Sequence, residues 1–175
     1  TRTVFGEGPA DAALMLIGEQ PGDQEDLQGR PFVGPAGKVL DRALEAAGLD
    51  RASLYITNAV KHVKNEPRGK RRLHKKPDTS EIDACRFWLE QELDVVRPAV
   101  AVAMGTTAAR GLMRKSLAVN ANRGRLIPWR GVQALITAHP SYLLRLEEER
   151  DKRREFELLV GDLRLAAAEA RKARG

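Results

Sequence analysis

Four short apolar runs, at residues 12–17, 54–57, 99–104 and 134–138, constrain this chain more than any other feature. Each is shorter than an ordinary helix, and each stops at residues that turn the chain: Gly18, Asn58, Gly105 and His139-Pro140. Uninterrupted runs of this length are the pattern of strands covered on both faces. Between them the apolar residues switch to helical spacing. Ala36, Val39, Leu40, Ala43, Leu44 and Ala47 share a face, and Gly48 supplies a stop. Thr79 or Ser80 is the expected cap of the next helix, where Ile82, Cys85, Leu89 and Val96 align ahead of Pro98. A helix through Met113 follows the third run, and Phe156, Leu159, Val160, Leu163 and Ala167 define a closing helix. Residues 123–133 read as a turn-rich excursion or an edge hairpin.

This alternation predicts an α/β fold of three layers, α/β/α, around a central, mostly parallel four-stranded sheet. The chain has 175 residues, 42% apolar and 31% charged, which suits one packed domain and excludes disordered or collagen-like classes. A single domain over residues 1–175 is expected. No apolar run approaches the roughly 18 residues a membrane helix needs, and no signal-peptide pattern opens the chain. The single cysteine excludes an internal disulfide framework and points to a reducing, cytoplasmic compartment. A monomer is the expected state. The first residue is Thr, so an upstream segment is expected to have been cleaved or omitted.

The net charge of +6 is local. Residues 61–76 hold eight Lys or Arg against one acid, more than the whole net charge, so the remaining chain is close to neutral. Pro67, Gly69 and Pro77 forbid a long helix there, and a basic loop insertion at about 61–77 is expected. Such a segment is either a polyanion-binding element or a solvated loop.

In parallel α/β sheets, ligands bind outside the carboxyl ends of the strands. The residues leaving those ends here are Gly18-Glu19-Gln20, Asn58, Gly105-Thr106 and His139-Pro140-Ser141. One rim thus collects a carboxylate, two amides and a histidine. Gly18-Glu19-Gln20-Pro21-Gly22 lacks the Gly-Lys-Ser/Thr ending of a phosphate cradle, and its acids (Glu19, Asp23, Glu25, Asp26) would repel phosphate. A carboxylate there suits a developing cation or an activated water, or else caps a helix. Asn58 carries the donors and acceptor needed to read a nucleobase edge, although Asn also ends strands as a turn residue. Phe32 fits either stacking on a base or plugging the core. His139 can donate a hydrogen bond to a leaving group that gains negative charge.

Cys85 sits on the apolar face of its helix, as a buried thiol would. His62 and Cys85 are each able to ligate a metal, but two ligands do not close a site. His74 lies among Lys70, Arg71, Arg72, Lys75 and Lys76, whose charge disfavours a further proton, so it is expected either as a neutral imidazole available as nucleophile or base, or as a solvated loop histidine.

Together these motifs resemble the uracil-DNA glycosylase superfamily, in its iron–sulfur branch close to family 4 and nearest the UdgX-type proteins. The resemblance runs through Gly18-Glu19-Gln20-Pro21-Gly22-Asp23, Gly29-Arg30-Pro31-Phe32-Val33-Gly34, Tyr55-Ile56-Thr57-Asn58, the basic loop ending in His74, and His139-Pro140-Ser141. It implies uracil excision from DNA. Phe32 would stack on the extruded base, Asn58 would read its edge, and Gln20 and Asp23 would line the pocket. His139 would stabilise the departing anion, and Glu19 would support the sugar or orient the nucleophile. Lys70, Arg71, Arg72, Lys75 and Ser141 would hold phosphates. His74 would attack C1′ and remain bonded to the abasic site. Uracil in single-stranded DNA would be the easier substrate, because the base must leave the stack.

The resemblance further implies a [4Fe–4S] cluster with His62 and Cys85 as two ligands and two upstream cysteines absent from this chain. The N-terminal cluster-binding segment is therefore expected to be missing. Two other readings stay open: a conventional family 4 glycosylase that turns over, and a non-catalytic nucleic-acid-binding module.

Overall fold

The computed structural model describes residues 3–62, 65–68, 71–74 and 76–174, with 65–68 and 71–74 described by their backbone. Strand β1 (Leu14–Gly18) leads through helices α1 (Asp23–Gln28) and α2 (Pro35–Ala46) to β2 (Tyr55–Asn58). An antiparallel hairpin, β3 (Asn65–Arg68) and β4 (Arg71–His74), precedes helix α3 (Thr79–Val96). Then come β5 (Val100–Met104), α4 (Thr106–Met113), the single turn α5 (Val119–Asn122), β6 (Leu126–Trp129) and β7 (Val132–Thr137). Helices α6 (Pro140–Arg145) and α7 (Glu149–Arg174) close the chain. Among the described residues, no helix is long and apolar enough to cross a membrane.

The sheet order is β2-β1-β5-β7-β6, parallel except for β6. The period of two along each strand splits the core into two layers. Leu14, Leu16, Val102 and Leu135 pack with Leu40, Leu44, Leu159 and Leu163 of α2 and α7. Met15, Ile17, Ala103 and Ile136 face the other way, against Leu89 of α3 and Ala109 and Leu112 of α4. The expected three-layer α/β/α architecture is present. Burial on both faces explains why each strand reads as a continuous apolar run.

The sheet has five strands rather than four. The excursion at 123–133 contributes β6, joined to β7 by Arg130 (φ 47°) and Gly131 (φ 83°). Positive φ at both turn positions matches the twist of an antiparallel pair, which is why a two-residue connection suffices. As an edge strand with Pro128 and a half-buried pattern, β6 carries no strong strand signal. Helix α3 is capped by Asp78, whose carboxylate accepts the Glu81 N–H at 2.9 Å, one residue ahead of the expected Thr79 or Ser80. The closing helix starts at Glu149, ahead of Phe156, because its first turns are charged and exposed. All four parallel strands end on the same side, so the rim assembled from sequence exists as one edge.

Candidate active site

A cavity of about 830 Å³ lies across that edge, lined by Glu19, Gln20, Phe32, Asn58, Gly105 and His139 among others. Gly18 makes the convergence tight: a Cβ there would lie 2.4 Å from the Phe32 ring and 2.5 Å from Asn58 Oδ1. Both side chains therefore sit over the end of β1. Asn58 is buried, and its Oδ1 has no hydrogen-bond partner among the described residues. A buried acceptor left bare costs about 1–3 kcal/mol, which a ligand donor would offset.

Phe32 adopts φ 52°, unusual for a residue with a Cβ. Three contacts hold it. Arg51 donates to the carbonyls of Pro31 (2.8 Å) and Phe32 (2.9 Å) and pairs with Asp41. Gly37 leaves room for that carbonyl, since a Cβ there would stand 2.1 Å from it. The Glu25 carboxylate accepts the backbone N–H groups of Gly22 (2.9 Å), Val33 (3.0 Å) and Gly34 (2.5 Å), tying the loop after β1 to the loop that carries Phe32. Phe32 packs in the core and also lines the cavity, its ring 5.7 Å from that of His139 and tilted by 31°.

His139 has a fixed tautomer. Its Nδ1 accepts the Ser141 backbone N–H at 3.0 Å and lies 2.8 Å from the Ser141 hydroxyl. An imidazole nitrogen that accepts from an amide carries no proton, so Nε2 is the donor. Burial, aided by the Arg145 charge, pulls the His139 pKa down to about 4. At neutral pH the ring is a neutral hydrogen-bond donor. Such a donor favours a forming anion without first having to lose a charge.

Of the residues expected at the site, Glu19, Gln20, Phe32, Asn58, His139 and Ser141 line one cavity. Asp23 begins α1 and does not line it. Lys70 and Lys75 lie outside the described residues, as do the side chains of Arg71, Arg72 and His74 on β4. Lys76 lines the cavity, its Nζ 3.1 Å from Thr106 Oγ1.

Two buried charged clusters escaped the sequence reading. Lys61, counted there with the basic loop, is fully buried and paired with Glu92 at 2.5 Å. Burial pulls the Lys61 ammonium below its ordinary value against the pull of Glu92, and burial with Glu92 raises the Tyr55 phenol. The second cluster joins Arg123 to Asp162 (2.8 Å), Glu155 (3.1 Å) and the Thr137 hydroxyl (3.3 Å). Arg123 and Glu155 line the cavity beside Ala118, Val119 and Asn120. Partners distant in sequence signal neither cluster.

The cluster ligands are a different matter. His62 is exposed, with Nδ1 3.5 Å from Thr3 Oγ1, and Cys85 is a free, half-buried thiol. Among the described residues, no group of three or more His, Cys, Asp or Glu is arranged to hold a metal. The residues present do not make a complete iron–sulfur site.

Residues 5–164 match the family model of the uracil DNA glycosylase superfamily. A Type-4 uracil-DNA glycosylase of Thermotoga maritima is 40% identical over 147 residues, 83% of this chain and 73% of the relative. A Type-4 uracil-DNA glycosylase of Sulfurisphaera tokodaii is 35% identical over 81% of this chain and 64% of its own length. A Type-5 uracil-DNA glycosylase of Pyrobaculum aerophilum is 31% identical over 93% of this chain and 74% of its own length. With its fold and rim in place, the chain belongs to the uracil DNA glycosylase superfamily, with Type-4 enzymes among its similar relatives.

Proposed function

We propose that this protein is a uracil-DNA glycosylase of DNA repair that cleaves the N-glycosidic bond of deoxyuridine and then bonds covalently to the abasic site through His74. The observation that carries the excision step is the pairing of a bare, buried Asn58 acceptor with a neutral His139 donor in one cavity. Uracil presents an N–H donor between two carbonyl acceptors, so the Asn58 amide matches its edge in both senses. The Phe32 ring supplies the stacking face for the extruded base.

The C1′–N1 bond breaks with its electron pair passing to uracil, whose oxygen takes up charge against His139 Nε2–H. Glu19 supports the electron-poor C1′ or orients the incoming nucleophile. A nitrogen lone pair of His74 closes on C1′, and the imidazole loses its other ring proton to solvent. Supporting the capture step are the basic loop ending in His74 and the position of Lys76, two residues on, in the cavity wall. The cations around His74 hold backbone phosphates, so affinity falls with salt. Uracil in single strands is preferred, since no pair must open. A [4Fe–4S] cluster would take His62 and Cys85 from this chain, and no step above passes through it.

The Type-4 relatives favour one alternative, conventional turnover with water as the nucleophile. A denaturing gel separates the two. Covalent capture gives a shifted band with uracil-containing single-stranded DNA, lost in His74→Ala. Free abasic product without a shifted band would establish turnover instead.

A further inference from the structure

Lys61 ranks among the largest fully buried side chains of the protein, and that needs a reason. Removing an ammonium from water costs several kcal/mol even after relaxation, and an apolar pair of similar volume is often as stable. Stability alone therefore does not explain a buried cation here. Its contacts point elsewhere. The Lys61 Nζ donates to the Asn58 backbone carbonyl (2.5 Å) and the Thr57 hydroxyl (2.9 Å), and meets Glu92 Oε1 at 2.5 Å. Three donors thus meet three acceptors. Glu92 in turn accepts from Tyr55 Oη (2.6 Å) and Thr57 Oγ1 (3.0 Å), so a carboxylate on α3 grips β2 in two places.

We propose that the buried Lys61–Glu92 pair is a positioning device for base recognition, fixing the end of β2 so that the Asn58 amide keeps the alignment that reads uracil. The inference rests on the glycosylase reading above. Among the described residues, Asn58 is the one whose main chain meets the Lys61 ammonium and whose side chain offers a bare acceptor beside Phe32. A flexible β2 end would let that amide rotate or withdraw. Rotation by half a turn exchanges its oxygen and nitrogen, and the exchanged edge complements cytosine rather than uracil. Neither Lys61 nor Glu92 lines the cavity. They act through Asn58.

The test is a double-mutant cycle read by single-turnover excision on single-stranded DNA containing uracil, with the half-saturating concentration separated from the maximal rate. Lys61→Met should lower their ratio at least tenfold, mainly by raising the half-saturating concentration. In an Asn58→Ala background the same change should move it less than twofold. Lys61→Met/Glu92→Gln leaves no charge buried and keeps the test usable if the single variant unfolds; it should show the same loss at an unchanged melting temperature. Wild-type behaviour in either Lys61 variant, or equal losses in both backgrounds, would overturn the positioning role. Absence of excision by the unaltered protein would instead remove the glycosylase reading, and this inference with it.

Discussion

The cluster at Asn58 sets one cation against one anion, Lys61 against Glu92, whereas the cluster beside the 118–120 wall sets Arg123 against two, Asp162 and Glu155. In the first, the fully buried Lys61 meets the main-chain carbonyl of Asn58, a residue of the cavity wall. The second has Arg123 and Glu155 in the cavity wall itself. The difference separates two jobs. Under the proposed function the Lys61 pair fixes the amide that reads the base, so its loss should appear in recognition. Arg123 anchors a stretch whose α5 turn has no buried residue, so its loss should appear first in stability.

The strongest break of this contrast is Arg123→Ala. It strands two acids beside a buried threonine, and a cost of about 3–5 kcal/mol is expected in denaturant unfolding. The maximal excision rate should fall much less than the stability. Gly18→Ala acts on the other side. Its Cβ would collide with Phe32 and Asn58 Oδ1, and excision should drop roughly a hundredfold, the scale expected for misplacement by about an ångström.

A change of pH probes His139, which lines the same cavity. Its folded pKa, about 4, lies below the ordinary 6.5, so the unfolded chain takes up a proton first as pH falls. The His139 contribution is complete above about pH 6.5, declines down to about 4 and is then constant. Its span is about 3 kcal/mol. His139→Gln should flatten that part of the stability curve, and wild-type excision should show no His139 limb between pH 5 and 8. The smallest effect belongs to Glu25→Gln, which loses part of a three-way grip on backbone N–H groups. About 1–2 kcal/mol is expected in thermal unfolding, with Phe32 less well held.

The rim was legible because strand ends are local. Each buried run stops at a residue that cannot continue it, and parallel topology brings Gly18, Asn58, Gly105 and His139 to one edge. The two polar clusters were not legible, because a charge count treats every lysine as solvent-facing. Nothing near Lys61 in sequence announces Glu92 on a later helix. Of the two readings of residues 123–133 the edge hairpin is the one present, although half-burial and Pro128 blur the alternation of β6. Helix α1 leaves little trace in the sequence: its acids stand in the first turn, where they complement the N-terminus, but a helix of 6 residues leaves no periodicity to detect.

Under the proposed function, the cavity releases uracil and His74 takes its place at C1′. Intact mass of the protein after incubation with a uracil-containing oligonucleotide tests both at once. The expected product is the mass of protein plus oligonucleotide minus uracil, absent in His74→Ala. Unchanged protein beside an intact oligonucleotide would contradict the account.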